Sequence, residues 1–340
     1  MRLALKKARS GLGLTAPNPT VGCVIIHDEK VISSSRTKNH GRPHSEAIAL
    51  QNIPPQVLAQ STMYITMEPC CHRNIKDQTC VEKIILSKIS RVVIGAIDPN
   101  PNVNGKSIIL LRNENIEVIV GVLQKECEEV ISGFKLRMVN KRPFITLKLA
   151  MSLDGKIALK NGDSKWITSS KQRILGHKLR SQHDAIITGI NTILYDDPLL
   201  TVRLPKVKQK PLRIVLDSNL RMNSNMRIYQ DSDTIKTIIF HSANIKKKLK
   251  NIEYYQIPRD QYGLNIPVIM TKLAQIGINN LLVEAGQKLV TSFIKHNLVD
   301  KVVVFSANKI LGDDGLSAIG PLSLIKLTSA PEFKTIVIRD

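Results

Sequence analysis

The feature that most limits the fold is a repeated alternation of short β-rich runs with stretches of helical character. In the first half the β-rich runs are VGCVII, MYITM, RVVIGAI and IEVIVG. Between them lie SEAIALQ, VEKIILSK and KSIILLRN, whose apolar spacing suits helices. Because strands and helices alternate, this half predicts an α/β layered domain.

A second series of the same kind follows a basic, proline-containing bridge, LRMVNKRPF. Its β-rich runs are FITLKLAM, AIITGI, RIVLDS, TIIFH, NLLVE and KVVVFSA. At 340 residues the chain is long enough for two domains of ordinary size. We therefore expect two α/β domains, over residues 1–140 and 141–340, that meet around residues 138–144.

The chain is strongly basic, with 49 Lys and Arg against 28 Asp and Glu and a formal net charge of +21. Such a charge can mark a nucleic-acid-binding protein. The basic residues are scattered, however, and aromatic residues make up only 4%, which leaves little surface for stacking bases. We therefore expect no nucleic-acid partner, and instead a surface that attracts small phosphorylated molecules.

No apolar run is long enough for a membrane span, and the start, MRLALKKARSG, lacks the apolar stretch of a secretory signal. We expect a cytoplasmic protein with no membrane partner. Thiols stay reduced in the cytoplasm, so clustered cysteines there indicate metal binding or catalysis before disulfides.

The segment TMEPCCHRNIKDQTC, residues 66–80, holds three of the five cysteines, and His44 and Glu46 open a predicted helix upstream of it. A His-x-Glu pair followed by Pro-Cys and a later Cys is typical of a zinc site that leaves the fourth position for water. Thiolate and imidazole ligands suit zinc better than magnesium or calcium. The ordered set with Cys70 and Cys80 therefore predicts a zinc site, with Glu46 moving protons rather than binding the metal.

In the second half, NLLVEAGQKLVTSFIKHNLVD predicts a strand, a tight Glu-x-Gly turn and an amphipathic helix. A glycine between a strand and a helix lets backbone amides approach a phosphate at the helix N-terminus. Most such junctions are merely connections, so this pattern alone does not establish a binding role.

The order APNPTVGCVI, HSE, MEPC, a later Cys and DPNP resembles the deaminase half of the bifunctional riboflavin-biosynthesis family. SLDGKIA, GDSKWITS, LRSQHDAIITGINTILYDDPLLTVR, RIVLDS and LVEAG resemble its reductase half. The resemblance implies a cytidine-deaminase-like α/β/α domain followed by a dihydrofolate-reductase-like α/β domain. It also implies zinc-dependent deamination of a diaminohydroxyphosphoribosylaminopyrimidine, then NADPH-dependent reduction of its ribosyl side chain to ribityl.

The resemblance further implies roles for individual residues. It places zinc on His44, Cys70 and Cys80, and the acid/base role on Glu46. The implied contacts with the pyrimidine in the deaminase half are Asn18 and His72, and we expect Lys76 to replace the family's basic residue at the substrate phosphate. The implied cofactor-binding residues in the reductase half are Ala150, Trp166, Thr192, Asp196, Ser218 and the turn from Gly286. The implied substrate-binding residues there are Ser164, Arg180, Leu200, Arg203 and Glu284, of which the two arginines suit a ribose phosphate.

The chain departs from the family pattern in two places. Between its cysteines it carries HRNIKDQT, one residue longer than the usual His-x-Gly-(Lys or Arg)-Thr-Pro-Pro. Cys71 keeps the family spacing to Cys80, whereas Cys70 keeps its place after Glu-Pro; we favour Cys70 as the ligand, with Cys71 as the alternative. Ser35-Arg36-Thr37 stands where the family has Gly-aromatic-His.

Two alternatives to the bifunctional enzyme stay open. One is a reductase with an impaired deaminase half, and the other is a nucleic-acid deaminase or binding protein.

The chain stops at FKTIVIRD, where the family continues into one more strand. A missing edge strand would leave backbone groups unpaired. We therefore expect a homo-oligomer, a dimer or a tetramer, in which a neighbouring subunit covers that edge.

Overall fold

The structure, a computed structural model, describes residues 1–72, 78–205, 207, 210–245 and 248–333. It divides into two compact units. The first comprises Met1–Pro143 with Ala274–Asn279, and the second Phe144–Leu273 with Asn280–Asp340. The limits 1–140 and 141–340 stay a prediction. Lys76 and most of FKTIVIRD lie outside the described residues.

The first unit is built on one mixed sheet. Its strands are β1 (Gly22–His27), β2 (Lys30–Arg36), β3 (Thr62–Met67), β4 (Arg91–Ala96) and β5 (Glu117–Val120). Its helices are α1 (Arg2–Arg9), α2 (Ser45–Ala49), α3 (Pro55–Leu58), α4 (Cys80–Leu86), α5 (Lys106–Asn113), α6 (Gln124–Val130) and α7 (Ser132–Asn140), with a 3₁₀ turn at Asn39–Gly41. The order is β2-β1-β3-β4-β5. Strand β1 is antiparallel to β2 and β3, whereas β3, β4 and β5 run parallel.

Local sequence explains both kinds of pairing. Asp28 and Glu29, at φ of 46° and 61°, form a tight turn that joins β1 to β2 as a hairpin. The parallel strands are joined through helices, as parallel pairing requires. Strand β1 packs closely against α1 at Gly22. A Cβ at this position would come within 1.9 Å of the Ala4 carbonyl oxygen, so only glycine fits there.

The second unit is built on a seven-stranded sheet. The strands of this unit are β6 (Phe144–Ser152), β7 (Lys156–Leu159), β8 (Ala185–Gly189), β9 (Leu212–Leu216), β10 (Thr237–His241), β11 (Ile252–Gln256), β12 (Arg259–Asp260), β13 (Gly263–Leu264), β14 (Asn280–Val283), β15 (Lys301–Ala307) and β16 (Gly315–Ser317). Seven of them form the large sheet, while β7 pairs with β16 and β12 pairs with β13 in two small antiparallel sheets. Its helices are α8 (Ser170–Ser181), α9 (Ile190–Asp196), α10 (Arg227–Gln230), α11 (Ile266–Gln275) and α12 (Gln287–Lys295), with 3₁₀ turns at Gly312–Asp314 and Leu327–Ser329. The last two residues of α11, Ala274 and Gln275, belong to the first unit.

The strand order in that sheet is β11-β10-β9-β8-β14-β6-β15, and every neighbouring pair is parallel. Central residues such as Ile187, Ile214 and Leu281 are fully buried, as expected for strands covered on both faces. In a parallel sheet the carboxyl ends of the strands meet at one edge, where ligands bind in α/β folds. The predicted α/β architecture is confirmed in both halves.

Within the described residues, none of the helices has both the length and the apolar character needed to cross a membrane.

Candidate active sites

Three predicted ligands meet at one point of the first unit. His44 precedes α2, Cys70 follows β3, and Cys80 opens α4. Nδ1 of His44 lies 3.3 Å from Sγ of Cys80 and 3.6 Å from Sγ of Cys70. The three donor atoms all lie within 4.8 Å of one another. A tetrahedral zinc, with Zn–S near 2.3 Å and Zn–N near 2.0 Å, separates its nitrogen and sulfur ligands by about 3.6 Å. The donor set therefore fits zinc.

A capping box fixes Cys80. The Thr79 hydroxyl accepts from the backbone N–H of Glu82, whose carboxylate accepts from the backbone N–H of Thr79. These reciprocal bonds satisfy two donors at the helix start. Helix α4 therefore begins at Cys80 and presents its sulfur at a defined position.

Glu68 fixes Cys70 from the other side. This buried carboxylate accepts from three backbone N–H groups, those of Asp98, Gly105 and Ser107. The Ser107 hydroxyl also donates to the carbonyl of Pro69 at 2.6 Å. The turn before Cys70 is thereby attached to the start of α5.

The two sulfurs differ in acidity. Hydrogen bonding from Cys80, and then from His44, outweighs burial and lowers the pKa of Cys70 to about 4. The same contact with Cys70 raises the pKa of Cys80 well above that of an ordinary thiol. Cys70 is therefore the more acidic of the two thiols, and a cation bound between the sulfurs would favour the thiolate form of both.

Glu46 lies in the first turn of α2 and is 3% exposed. The Ser45 hydroxyl donates to its Oε2 at 2.7 Å. Burial raises the pKa of Glu46, and the nearby His44 opposes that rise. A buried carboxyl group with a raised pKa beside a ligand cluster is suited to proton transfer.

A cavity of about 310 Å³ opens on the three ligands. His72, a predicted substrate contact, lies in its lining. Asn18, the other predicted contact in the described residues, donates to the carbonyl of Gly41 at 2.8 Å. Its amide nitrogen also lies 3.4 Å from Nε2 of His44, so Asn18 adjoins the cluster.

Two cationic residues in the cavity lining, Arg42 and Lys83, are absent from the sequence-based assignment. Lys83 lies three residues after Cys80 on α4. Residues at this spacing share one face of a helix, so the sequence alone indicates that Lys83 lies near the metal ligand. Arg42 lies two residues before His44. Both offer the charge that a substrate phosphate requires.

The departures from the family pattern have defined places. The Sγ of Cys71 lies 4.0 Å from the carbonyl oxygen of Asn102, outside the group of three ligands. The buried Ser35 hydroxyl donates at 2.7 Å to the carbonyl of Ser45, so it supports the start of α2. The Thr37 hydroxyl accepts from the backbone N–H of Val21.

In the second unit, Arg180 of α8 meets Glu284, which follows β14. Nε and Nη2 of Arg180 donate to the two carboxylate oxygens at 2.6 and 2.8 Å. Nζ of Lys148 lies 3.7 Å from the same carboxylate. Arg180 also donates to the carbonyl of Thr201 at 3.0 Å, and Arg203 donates to the Thr201 hydroxyl at 3.2 Å. The structure thus brings both predicted phosphate-binding arginines to Thr201.

Other predicted residues of the reductase half also adjoin one another. The Ser164 hydroxyl donates to Asp196 at 3.1 Å. Trp166 is 64% exposed, with the guanidinium of Arg173 at 4.6 Å from its ring centre. Leu200, in contrast, is 3% exposed and its side chain packs in the core, so a substrate contact at this position has to involve the backbone.

The remaining predicted cofactor residues lie on separate elements. Ala150 is in β6, Thr192 in α9, and Ser218 follows β9. Gly286 precedes α12, and a Cβ there would meet nothing within 4 Å. Open space before a helix N-terminus fits a phosphate group of a dinucleotide cofactor.

Comparison with known proteins identifies the family. Residues 1–96 match the cytidine and deoxycytidylate deaminase zinc-binding region, and residues 143–336 match the RibD C-terminal domain. The riboflavin biosynthesis protein RibD of Aquifex aeolicus is 39% identical over 327 residues, which cover 95% of this chain and 90% of that relative. The chain belongs to the RibD family. RibD of Escherichia coli is 35% identical over 352 residues, covering 100% of this chain and 95% of its own.

Solved RibD structures agree. A Thermotoga maritima protein, described as a diaminohydroxyphosphoribosylaminopyrimidine deaminase/5-amino-6-(5-phosphoribosylamino)uracil reductase, is 34% identical with a TM-score of 0.88. The match covers 99% of this chain and 93% of that one. Acinetobacter baumannii RibD, at 30% identity and a TM-score of 0.87, covers the same shares.

Both catalytic regions of the RibD family are therefore present, the zinc-binding deaminase region and the NADPH-dependent reductase region. The alternative of a reductase with an impaired deaminase half is not supported. The deaminase region matches its family model, and the three donor atoms of His44, Cys70 and Cys80 meet beside Glu46.

Proposed function

We propose that this chain catalyses two steps of riboflavin biosynthesis. The first unit deaminates a diaminohydroxyphosphoribosylaminopyrimidine by hydrolysis, and the second reduces the ribosyl side chain of the product to ribityl. The meeting of His44, Cys70 and Cys80 at a cavity is the observation that carries the proposal. A second unit that matches the RibD reductase domain supports the other step.

We assign the metal to His44, Cys70 and Cys80. Cys70 is preferred to Cys71 because its sulfur belongs to the group of three, whereas that of Cys71 lies beside the carbonyl of Asn102. Zinc bound there supplies a Lewis acid that makes water a nucleophile near neutral pH.

Glu46 is the proposed proton carrier of the deaminase. Its carboxylate takes a proton from the attacking water and passes it to the departing amine. The Ser45 hydroxyl, donating to Oε2, holds the carboxylate in place. We propose that Asn18 and His72 contact the pyrimidine, and that Arg42 and Lys83 attract the phosphate.

NADPH, when bound, supplies the hydride for C1 of the ring-opened ribosylamino group. The proposed cofactor-binding residues are Ala150, Trp166, Thr192, Asp196, Ser218 and Gly286. The proposed substrate-binding residues are Ser164, Arg180, Leu200, Arg203 and Glu284. Glu284 balances the positive charge of Arg180 through two hydrogen bonds. The positive charge of the exposed Arg203 is therefore expected to contribute more to phosphate binding.

The experiment supplies the diaminopyrimidine ribosylamine phosphate with NADPH and measures ammonia release and NADPH oxidation separately. We expect both, and we expect oxidation without ammonia when the deaminated uracil is supplied instead. Ammonia release without NADPH oxidation would show that the chain lacks the reductase activity. NADPH oxidation only with the deaminated uracil would show that it lacks the deaminase activity. Neither signal from zinc-loaded protein would contradict the proposal.

We further propose a cytoplasmic enzyme that acts on a small phosphorylated pyrimidine, as a homo-oligomer and without a nucleic-acid partner. Strand β15 lies at an edge of the seven-stranded sheet in the described residues, and its Val304 is 46% exposed. An edge of this kind is suited to subunit pairing. Light scattering would test the oligomer, and RNA retention at moderate salt would contradict the absence of nucleic-acid binding.

A further inference from the structure

Residues 197–203, which follow α9 and end at Arg203, include two positions with an unusual backbone conformation. Asp197 and Leu200 have φ of 41° and 51°, in the left-handed region that residues other than glycine rarely adopt. Contacts from neighbouring elements therefore have to hold this segment. One is the bond from the buried Arg213 to the carbonyl of Leu199 at 3.3 Å.

Helix α8 provides two further contacts. Arg180 donates to the carbonyl of Thr201, and the backbone N–H of Arg203 donates to Nδ1 of His177 at 3.4 Å. His177 lies three residues before Arg180, so both side chains project from one face of the helix. The same helix face thus carries one phosphate-binding arginine and the residue that holds the backbone of the other.

The charge state of His177 suits an acceptor. Burial lowers its pKa, and the positive charges of Arg180 and Arg203 lower it further, against the opposing effects of a hydrogen bond with the Thr201 backbone and of Glu284. The imidazole is therefore neutral at neutral pH, and a neutral ring has one nitrogen that can accept a hydrogen bond. A lysine at this position would have no acceptor and would repel both arginines.

We propose that His177 is a positioning residue of the reductase: it holds the Arg203 backbone so that Arg180 and Arg203 bind one phosphate monoester of the substrate together. The inference rests on the proposed reductase function. A long side chain such as Arg203 loses conformational freedom when it binds, and a fixed backbone reduces that loss. Removal of the acceptor should therefore weaken phosphate binding about three- to tenfold.

The test uses a matched pair of variants, His177→Asn and His177→Phe, in the full chain. Asparagine offers an oxygen near the place of Nδ1, whereas phenylalanine keeps the ring volume without an acceptor. We expect His177→Phe to raise the KM for the phosphorylated aminouracil about three- to tenfold. We expect kcat and the KM for NADPH to change little, and His177→Asn to stay close to the unaltered protein.

A substrate without the phosphate provides the control. With the dephosphorylated aminouracil, both variants should match the unaltered protein, because the contact affects only the phosphate. An equal loss with both substrates, an equal effect of Asn and Phe, or an unchanged KM in His177→Phe would overturn the inference.

Binding of ribose 5-phosphate to the cofactor-free chain, followed by calorimetry, separates this inference from the proposed function. Weaker binding by His177→Phe but not His177→Asn supports the role of His177, even if the chain fails to oxidise NADPH. Equal binding by all three proteins overturns that role, even if the reductase is active.

Discussion

Arg180 and Glu284, which are 104 residues apart in the sequence, form a bidentate ion pair. Their side chains are only 15% and 11% exposed. Burial alone would raise the pKa of Glu284, but Arg180 and then Lys148 lower it to about 2. Glu284 is therefore ionised throughout the neutral range and fixes the direction of the Arg180 guanidinium.

Loss of one partner of this pair should destabilise the second unit. Glu284→Ala leaves a mostly buried guanidinium without its counter-charge, which costs about 3 kcal/mol of unfolding free energy. Glu253, in an exposed ion pair with Lys236, provides the control, since Glu253→Ala should cost under about 1 kcal/mol. Urea unfolding measures both, and a loss in Glu284→Ala no larger than the control would contradict this expectation.

His183 should make the stability of the second unit depend on pH. Its ring is buried between the carbonyl of Leu179 and the hydroxyl of Thr146, and burial lowers its pKa to about 4. Because the unfolded chain titrates near pH 6.5, it binds a proton that the folded chain does not between about pH 6.5 and 4. Stability should fall as pH falls through that window, by up to about 3 kcal/mol.

The corresponding variant is His183→Gln, which cannot take up that proton. Its unfolding free energy, measured by urea titration between pH 7.5 and 5, should fall less steeply than that of the unaltered protein. Equal slopes for the two proteins would show that His183 is not the group responsible.

Glu46→Gln should separate metal binding from catalysis. Glutamine keeps the shape of the side chain but cannot carry the proton, so ammonia release should fall about a hundredfold or more. Zinc content and the reduction of the deaminated uracil should be unchanged, since neither requires this carboxylate. A variant that still releases ammonia at the original rate would exclude Glu46 from proton transfer.

Arg42→Gln and Lys83→Gln should raise the KM of the deaminase for its phosphorylated substrate, each by about tenfold, with kcat little changed. Lys125→Gln, at an exposed position of α6, provides the control because it removes the same single positive charge outside the cavity lining. If Lys125→Gln raises the KM as much, the effect comes from net charge rather than from the cavity.

The sequence predicts the strands and helices well because their signals are local. Buried strands such as β1 and β10 contain uninterrupted apolar runs, and helix α4 is capped by Thr79 and Glu82. The order of the strands is not local. That β14 lies between β8 and β6 depends on long crossovers, which no pattern within a strand reveals.

The candidate sites show the same division. His44, Glu46 and Cys80 could be predicted because their residue types and order restrict the chemistry. The core position of Leu200 and the cavity position of Arg42 could not, because each depends on packing between distant segments. The contact of His177 with the Arg203 backbone likewise exists only once α8 packs against the segment that follows α9.

The most direct test is the zinc content of Cys70→Ser and Cys71→Ser, measured by elemental analysis together with ammonia release. We predict about one zinc per chain in the unaltered protein and in Cys71→Ser, and loss of both metal and ammonia release in Cys70→Ser. Zinc kept by Cys70→Ser but lost from Cys71→Ser would contradict the assigned ligands. An unaltered protein that binds no zinc, and releases no ammonia after zinc is added, would contradict the deaminase itself.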